Sequence, residues 1–189
     1  PESLVASIAS QELLFRIGVL ADVVLYALVL VLSVALYLLV REVDQPLALG
    51  ALVLRSAEGV VGLVVTTVGG VVPLLIATDA LTVAPGTAAA LFALRESALD
   101  IILILIGPGG AVFCYLFLQS RLVPRGLAIW GIATYVSMVA LGSLRLVLPD
   151  LPASITTVLY AQGGVFEVLF GLWLLFRTAQ VLSDDRANT

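Results

Sequence analysis

Leu52-Val53-Leu54-Arg55-Ser56-Ala57-Glu58-Gly59-Val60-Val61-Gly62 sets one basic and one acidic residue inside an apolar run. Arg55 and Glu58 stand three positions apart, so a helix brings both to one face. The apolar stretch around them covers residues 47–76. That is longer than the roughly 20 residues a helix needs to cross hydrocarbon. Ionisable groups at that depth are costly and are kept for function or for helix pairing.

The rest of the chain has the same character. Of 189 residues, 61% are hydrophobic and 12% charged, with a mean hydropathy of +1.18. Ordinary domains run about 45–50% apolar and about 25% charged. Such an excess does not fit inside one soluble core, and it falls in blocks of membrane-spanning length. The basic residues are all Arg; Lys and His are absent. Without His there is no imidazole ligand for a metal or haem, and no metal site is expected. Without Lys there is no Schiff-base lysine, which excludes a retinal-type pigment. The net charge is −4 and no basic patch forms, so nucleic acid is not a partner. Cys114 is the one cysteine and sits in an apolar block, where it reads as a small buried hydrophobe.

In order, residues 1–16 read as a short interfacial helix. Leu4, Val5 and Ile8 lie on one side of it, with Ser3, Ser7, Ser10 and Gln11 opposite. Five spans are expected at about 17–40, 47–76, 98–118, 127–148 and 154–176, forming one domain over residues 17–177. A polar tail follows at 178–189. The fold class is therefore all-α, an integral-membrane helical bundle. Pro46 suits the first turn of the second span, where its missing N–H is harmless. Gly69, Gly70 and Pro73 are expected to break that span near its far end. Residues 77–97 read as a connection, with a turn at Pro85-Gly86 and a surface helix from Thr87 to Arg95. Gly107-Pro108-Gly109-Gly110 predicts a kinked or discontinuous third span, since freed backbone groups at that depth must find partners. Pro149-Asp150-Leu151-Pro152 marks a tight turn. Trp130, Tyr160 and Trp173 read as interface anchors.

Arg41, Arg121, Arg125, Arg177 and Arg186 fall on one side of the bundle, and Arg16, Arg95 and Arg145 on the other. The richer side reads as cytoplasmic. The expected setting is the bacterial inner membrane, with the C-terminus inside and Pro1 outside. A further helix upstream of Pro1 would account for that placement.

Depth along helices sorts the charges into two layers. At ~1.5 Å per residue, Arg55, Glu58 and Glu167 lie roughly 13–18 Å from the cytoplasmic side. Asp22, Asp100 and Arg145 lie roughly 28–30 Å away, at the outer boundary. The second span carries a stripe of small residues at Gly59, Gly62, Thr66 and Gly69, and the fifth another at Gly163, Gly164 and Gly171. Small residues let membrane helices approach closely. The two stripes are expected to face each other, with Glu58 and Glu167 both on Arg55. One Arg and two Glu leave a surplus carboxylate, a candidate proton carrier.

Several segments together resemble a known family. They are Glu12-Leu13-Leu14-Phe15-Arg16-Ile17-Gly18-Val19-Leu20-Ala21-Asp22, Leu36-Tyr37-Leu38-Leu39-Val40-Arg41, Leu54-Arg55-Ser56-Ala57-Glu58-Gly59, Ser120-Arg121-Leu122-Val123-Pro124-Arg125-Gly126-Leu127-Ala128, and Glu167 to Leu175. In this order they resemble domain of unknown function 4386, an uncharacterised family of small bacterial integral-membrane proteins. The resemblance implies a six-helix bundle whose first helix is missing here, and it supplies no activity. Family members tend to carry a polar, often His-bearing third helix. Here that helix has Gly107-Pro108-Gly109-Gly110 and no His, so a role resting on that His does not carry over.

The favoured function is an accessory or scaffold subunit of a membrane complex, in which a buried Arg–Glu cluster fixes helix packing. Its partners would be membrane lipids and either other membrane subunits or further copies of the chain. The alternative is a small transporter, proton-coupled carrier or channel working through Arg55, Glu58 and Glu167. An intramembrane enzyme would need Asp22 and Asp100 as a carboxylate pair. They sit at the boundary without a surrounding motif, so no catalytic residue is assigned. No residue pattern names a cofactor.

Overall fold

The computed structural model describes residues 2–84, 86–148 and 151–187, with side chains described from Leu4 to Arg177. Pro1, the turn residues Pro85, Pro149 and Asp150, and the side chains of the polar tail lie outside the described residues. The helices are α1 (Glu2–Ser10), α2 (Glu12–Val40), α3 (Gln45–Thr66), α4 (Val72–Ala77), α5 (Thr87–Ser120), α6 (Arg125–Val147) and α7 (Ala153–Ala187). Among the described residues there is no strand. Five rods are long and apolar enough to cross a membrane: α2, α3 with α4, α5, α6 and α7 as far as Arg177. The protein is a membrane-embedded helical bundle.

Local chemistry sets the breaks. Asp44 is extended, and its side chain accepts a hydrogen bond from the Leu47 amide at 3.0 Å, capping α3. Replacing it removes a partner for one of the helix's orphan N–H groups. Asp44→Ala is therefore expected to cost about 1 kcal/mol, read as a lowered melting temperature in detergent.

The break expected at Gly69–Pro73 takes the form of a π-helical turn, Thr67–Val71. Pro73 has no N–H to give the Gly69 carbonyl, and the turn widens so that the Val72 amide reaches the Thr67 carbonyl. The chain then continues as α4 without leaving the rod.

Two expectations differ from the structure. The surface helix Thr87–Arg95 and the third span are one helix of 34 residues. Nothing between Arg95 and Ala98 breaks a helix, and the inner face of this stretch carries two ion pairs described below. Gly107-Pro108-Gly109-Gly110 also stays inside that helix. Its glycines serve close packing. A Cβ on Gly107 would fall 2.7 Å from the Tyr135 carbonyl oxygen, one on Gly110 2.5 Å from the Tyr135 ring, and one on Gly109 2.9 Å from the Arg55 Cγ. Neighbouring helices thus hold in line a sequence that would break an isolated one.

The termini differ as well. Span α2 begins at Glu12, earlier than Ile17, because Arg16 pairs with Glu12 one turn back at 2.7 Å on an exposed surface. Helix α1 folds against α4 and α5, burying Ile8, so its apolar side meets protein. Helix α7 continues to Ala187.

Helix α5 is the hub. It packs most extensively on α6 and then on α3; α2 lies on α3, and α7 makes its main contact with α6. One core cluster joins Leu36, Val40, Ala48, Ala51, Phe113, Leu116, Phe117 and Val123 at the end that carries the α2–α3 and α5–α6 turns. Phe166 anchors α7 to α6, with its ring 5.7 Å from both Trp130 and Tyr135. Gln162 adds a hydrogen bond to Thr134 across the same pair.

Candidate functional site

Arg55 and Glu58 face inward from α3, with side chains 5% and 4% exposed. Arg55 Nη1 stands 2.7 Å from Glu58 Oε2. The contact is a close ion pair whose angle falls outside hydrogen-bond geometry. Charge attraction depends on distance more than on direction, so the pair holds. The stem of Arg55 lies against Gly109 of α5, where a larger residue would push it away.

Glu167 does not join this pair. Among the described residues no cation lies within ion-pair distance of it; its Oε1 accepts a long hydrogen bond, 3.5 Å, from the Tyr135 hydroxyl. The expected contact between Arg55 and Glu167 is therefore corrected. The two small-residue stripes do not meet either. Gly59 and Gly62 pack against Leu30 and Tyr26 of α2, while Gly163 packs against Met138 of α6. Gly164 and Gly171 meet nothing within 4 Å. The α3 stripe is spent on α2, so α7 stands off from α3.

The space between them is a cavity of about 420 Å³, within the range of small-molecule sites. Arg55, Glu58 and Glu167 all line it. Three phenols join them: Tyr26 from α2, Tyr135 from α6 and Tyr160 from α7. The remaining walls are apolar, drawn from α2, α5 and α7. Leu25 is 54% exposed, Leu32 43% and Tyr160 39%, and Glu167 is exposed too. The cavity therefore opens sideways between α2 and α7.

The charges assigned to the outer boundary sort into two separate pairs. Asp100 Oδ1 lies 2.7 Å from Arg145 Nε, joining α5 to α6. Asp22 accepts a hydrogen bond from Arg95, joining α2 to α5. Each aspartate has its own arginine, so Asp22 and Asp100 form no carboxylate dyad. Arg95 was missing from the expected set because it was assigned to a surface helix. Tyr26 and Tyr135 were missing too. The available signal was their depth, since a hydroxyl in mid-span needs a partner.

The family model for a domain of unknown function, DUF4386, matches residues 1–178. The chain belongs to the DUF4386 family. No curated protein and no solved structure matches it. In this DUF4386 protein the cavity is where the polar side chains of four helices come together. Glu58 is paired with Arg55 at the inner wall of the cavity. Among the described residues Glu167 is a carboxylate without a cation in ion-pair reach, beside Tyr135 on the open side of a cavity that Tyr26 and Tyr160 also line. The set fits a positively charged group with an apolar body, because a carboxylate and aromatic faces both attract cations.

Proposed function

We propose that the protein is a small carrier for lipophilic cations, with Glu167 as the group that holds the charge. The observation that carries this reading is the lateral cavity in which Glu167, among the described residues, lacks a cationic partner while Arg55 and Glu58 form an ion pair with each other. The apolar walls take the body of the molecule, and the rings of Tyr26, Tyr135 and Tyr160 flank its charge. Glu167 supplies the negative charge that balances the bound cation. On the arginine distribution we infer that the α5–α6 turn faces the cytoplasm across a bacterial inner membrane.

Tetraphenylphosphonium binding to the purified chain in detergent tests this. The parent protein is expected to bind saturably. Glu167→Gln is expected to lose binding while keeping its helical content. Gly171 lines the cavity and has open space beside it. Gly171→Leu is therefore expected to fill the mouth, weakening binding by about tenfold or more, which is about 1.4 kcal/mol or more, with no loss of thermal stability. Equal affinity in Glu167→Gln and the parent ends the proposal.

A second reading, an accessory subunit of a membrane complex, is favoured by α7 itself. In its apolar window only 11% is buried inside the chain. Such a face suits lipid or another subunit. Cross-linking in native membranes separates the two: a fixed partner seated along α7 supports the subunit, and its absence supports the carrier.

A further inference from the structure

Beside Trp173 and Arg177 of α7, the α5–α6 turn forms a second cavity of about 420 Å³, distinct from the cation site. Arg121, Arg125 and Arg177 line it, with Leu122, Pro124 and Trp173 as walls. No acidic side chain is among its lining residues. Among the described residues none of these arginines has a carboxylate within ion-pair distance, although the other ion pairs of the protein engage Arg16, Arg41, Arg55, Arg95 and Arg145. The three arginines are exposed around one shallow groove, and an anion between them would relieve their mutual repulsion.

Other features raise the positive character of the turn. Helix α6 starts at Arg125 with no side-chain cap, so its first amides face the turn unmet. The Arg177 guanidinium lies over the Trp173 ring at 5.8 Å, which fixes its direction. The Trp173 Nε1 is buried and has no acceptor among the described residues. Arg121 itself adopts a left-handed backbone, φ 59°. A glycine would adopt that conformation without steric cost, and the chain places an arginine there instead.

We propose that this turn is a binding site for a phosphate group, supplied by a phospholipid headgroup or by free phosphate. Planar guanidinium groups bind phosphate oxygens in pairs and remain charged at any physiological pH. In the sequence the apolar run of the fifth span ends at Phe176, so Arg177 falls at headgroup level for a spanning helix. Leu122 is 46% exposed beside it and offers contact to an acyl chain.

Trp173 reports on the site once Trp130→Phe leaves it the sole tryptophan of the two in the sequence. The full chain in detergent is titrated with dihexanoyl phosphatidylglycerol, with dihexanoylglycerol, which lacks the phosphate, and with inorganic phosphate. Phosphatidylglycerol is expected to change Trp173 emission saturably, about tenfold more tightly than dihexanoylglycerol. The double variant Arg121→Gln/Arg177→Gln is expected to lose that difference. If inorganic phosphate competes, the phosphate group alone is recognised. If it does not compete while the lipid effect stays arginine-dependent, the source is the headgroup. The proposal is overturned if phosphatidylglycerol binds no tighter than dihexanoylglycerol and inorganic phosphate gives no saturable change. It is equally overturned if the double variant folds and binds like its parent. Should the double variant fail to fold, the salt dependence of the parent decides. Binding that weakens at high salt supports the site, and binding indifferent to salt overturns it.

Discussion

Arg55→Leu is expected to lower the stability of the bundle by about 3–5 kcal/mol, because it strands the buried Glu58 carboxylate without its cation. The magnitude needs no discount for solvent, since the two side chains are 5% and 4% exposed. Leucine also shortens the stem that rests on Gly109, but packing is the smaller part. The double variant separates the two causes. Arg55→Leu/Glu58→Leu removes both charges and leaves apolar side chains. Replacing a buried pair in this way is often neutral or stabilising, so the double variant should recover most of the loss. Denaturant titrations in detergent, followed by circular dichroism, give the comparison. If the double variant is as unstable as the single one, packing around Arg55 holds the bundle and the ion pair does not. The same double variant should still bind tetraphenylphosphonium through Glu167, because the carrier reading gives Arg55 and Glu58 a structural task.

The spans were legible in the sequence because membrane helices declare themselves by length and hydropathy. Arg55 and Glu58 were legible as a pair because helical spacing decides contacts within one helix. Contacts between helices were harder to read. Counting residues from each turn gave Glu167 a depth matching Arg55, but depth is one coordinate, and a contact needs the direction each helix faces as well. That direction is set by Tyr26, whose ring lies where a Cβ on Gly62 would stand and so takes the α3 stripe for α2. Gly107 to Gly110 misled for a related reason. As isolated peptide they read as a breaker, whereas in the bundle Tyr135 and Arg55 occupy the space the missing side chains leave. Asp22 and Arg95 escaped pairing because they are 73 positions apart in the chain, and only the continuity of α5 brings Arg95 inward.

Gly107→Ala is expected to cost about 2–3 kcal/mol, an overpacking penalty at the most extensive helix contact in the protein. The new methyl would meet the Val139 side chain and, at 2.7 Å, the carbonyl oxygen of Tyr135. Val139 can turn aside. The carbonyl cannot, because it belongs to the hydrogen-bond ladder of α6, so α6 as a whole must retreat from α5. That retreat carries Tyr135 with it and loosens its 3.5 Å hydrogen bond to Glu167. Gly107→Ala should therefore also weaken tetraphenylphosphonium binding, although residue 107 does not line the cavity. Gly164→Ala is the matched control. It too replaces a glycine inside a spanning helix, and nothing lies within 4 Å of its built Cβ. Alanine there relieves the entropy cost of a helical glycine and should stabilise by about 0.5–1 kcal/mol. Melting temperatures of the two variants in the same detergent should shift in opposite directions. If both substitutions prove harmless, α5 and α6 stand further apart than the structure has them, and the wall that positions Tyr135 against Glu167 goes with them.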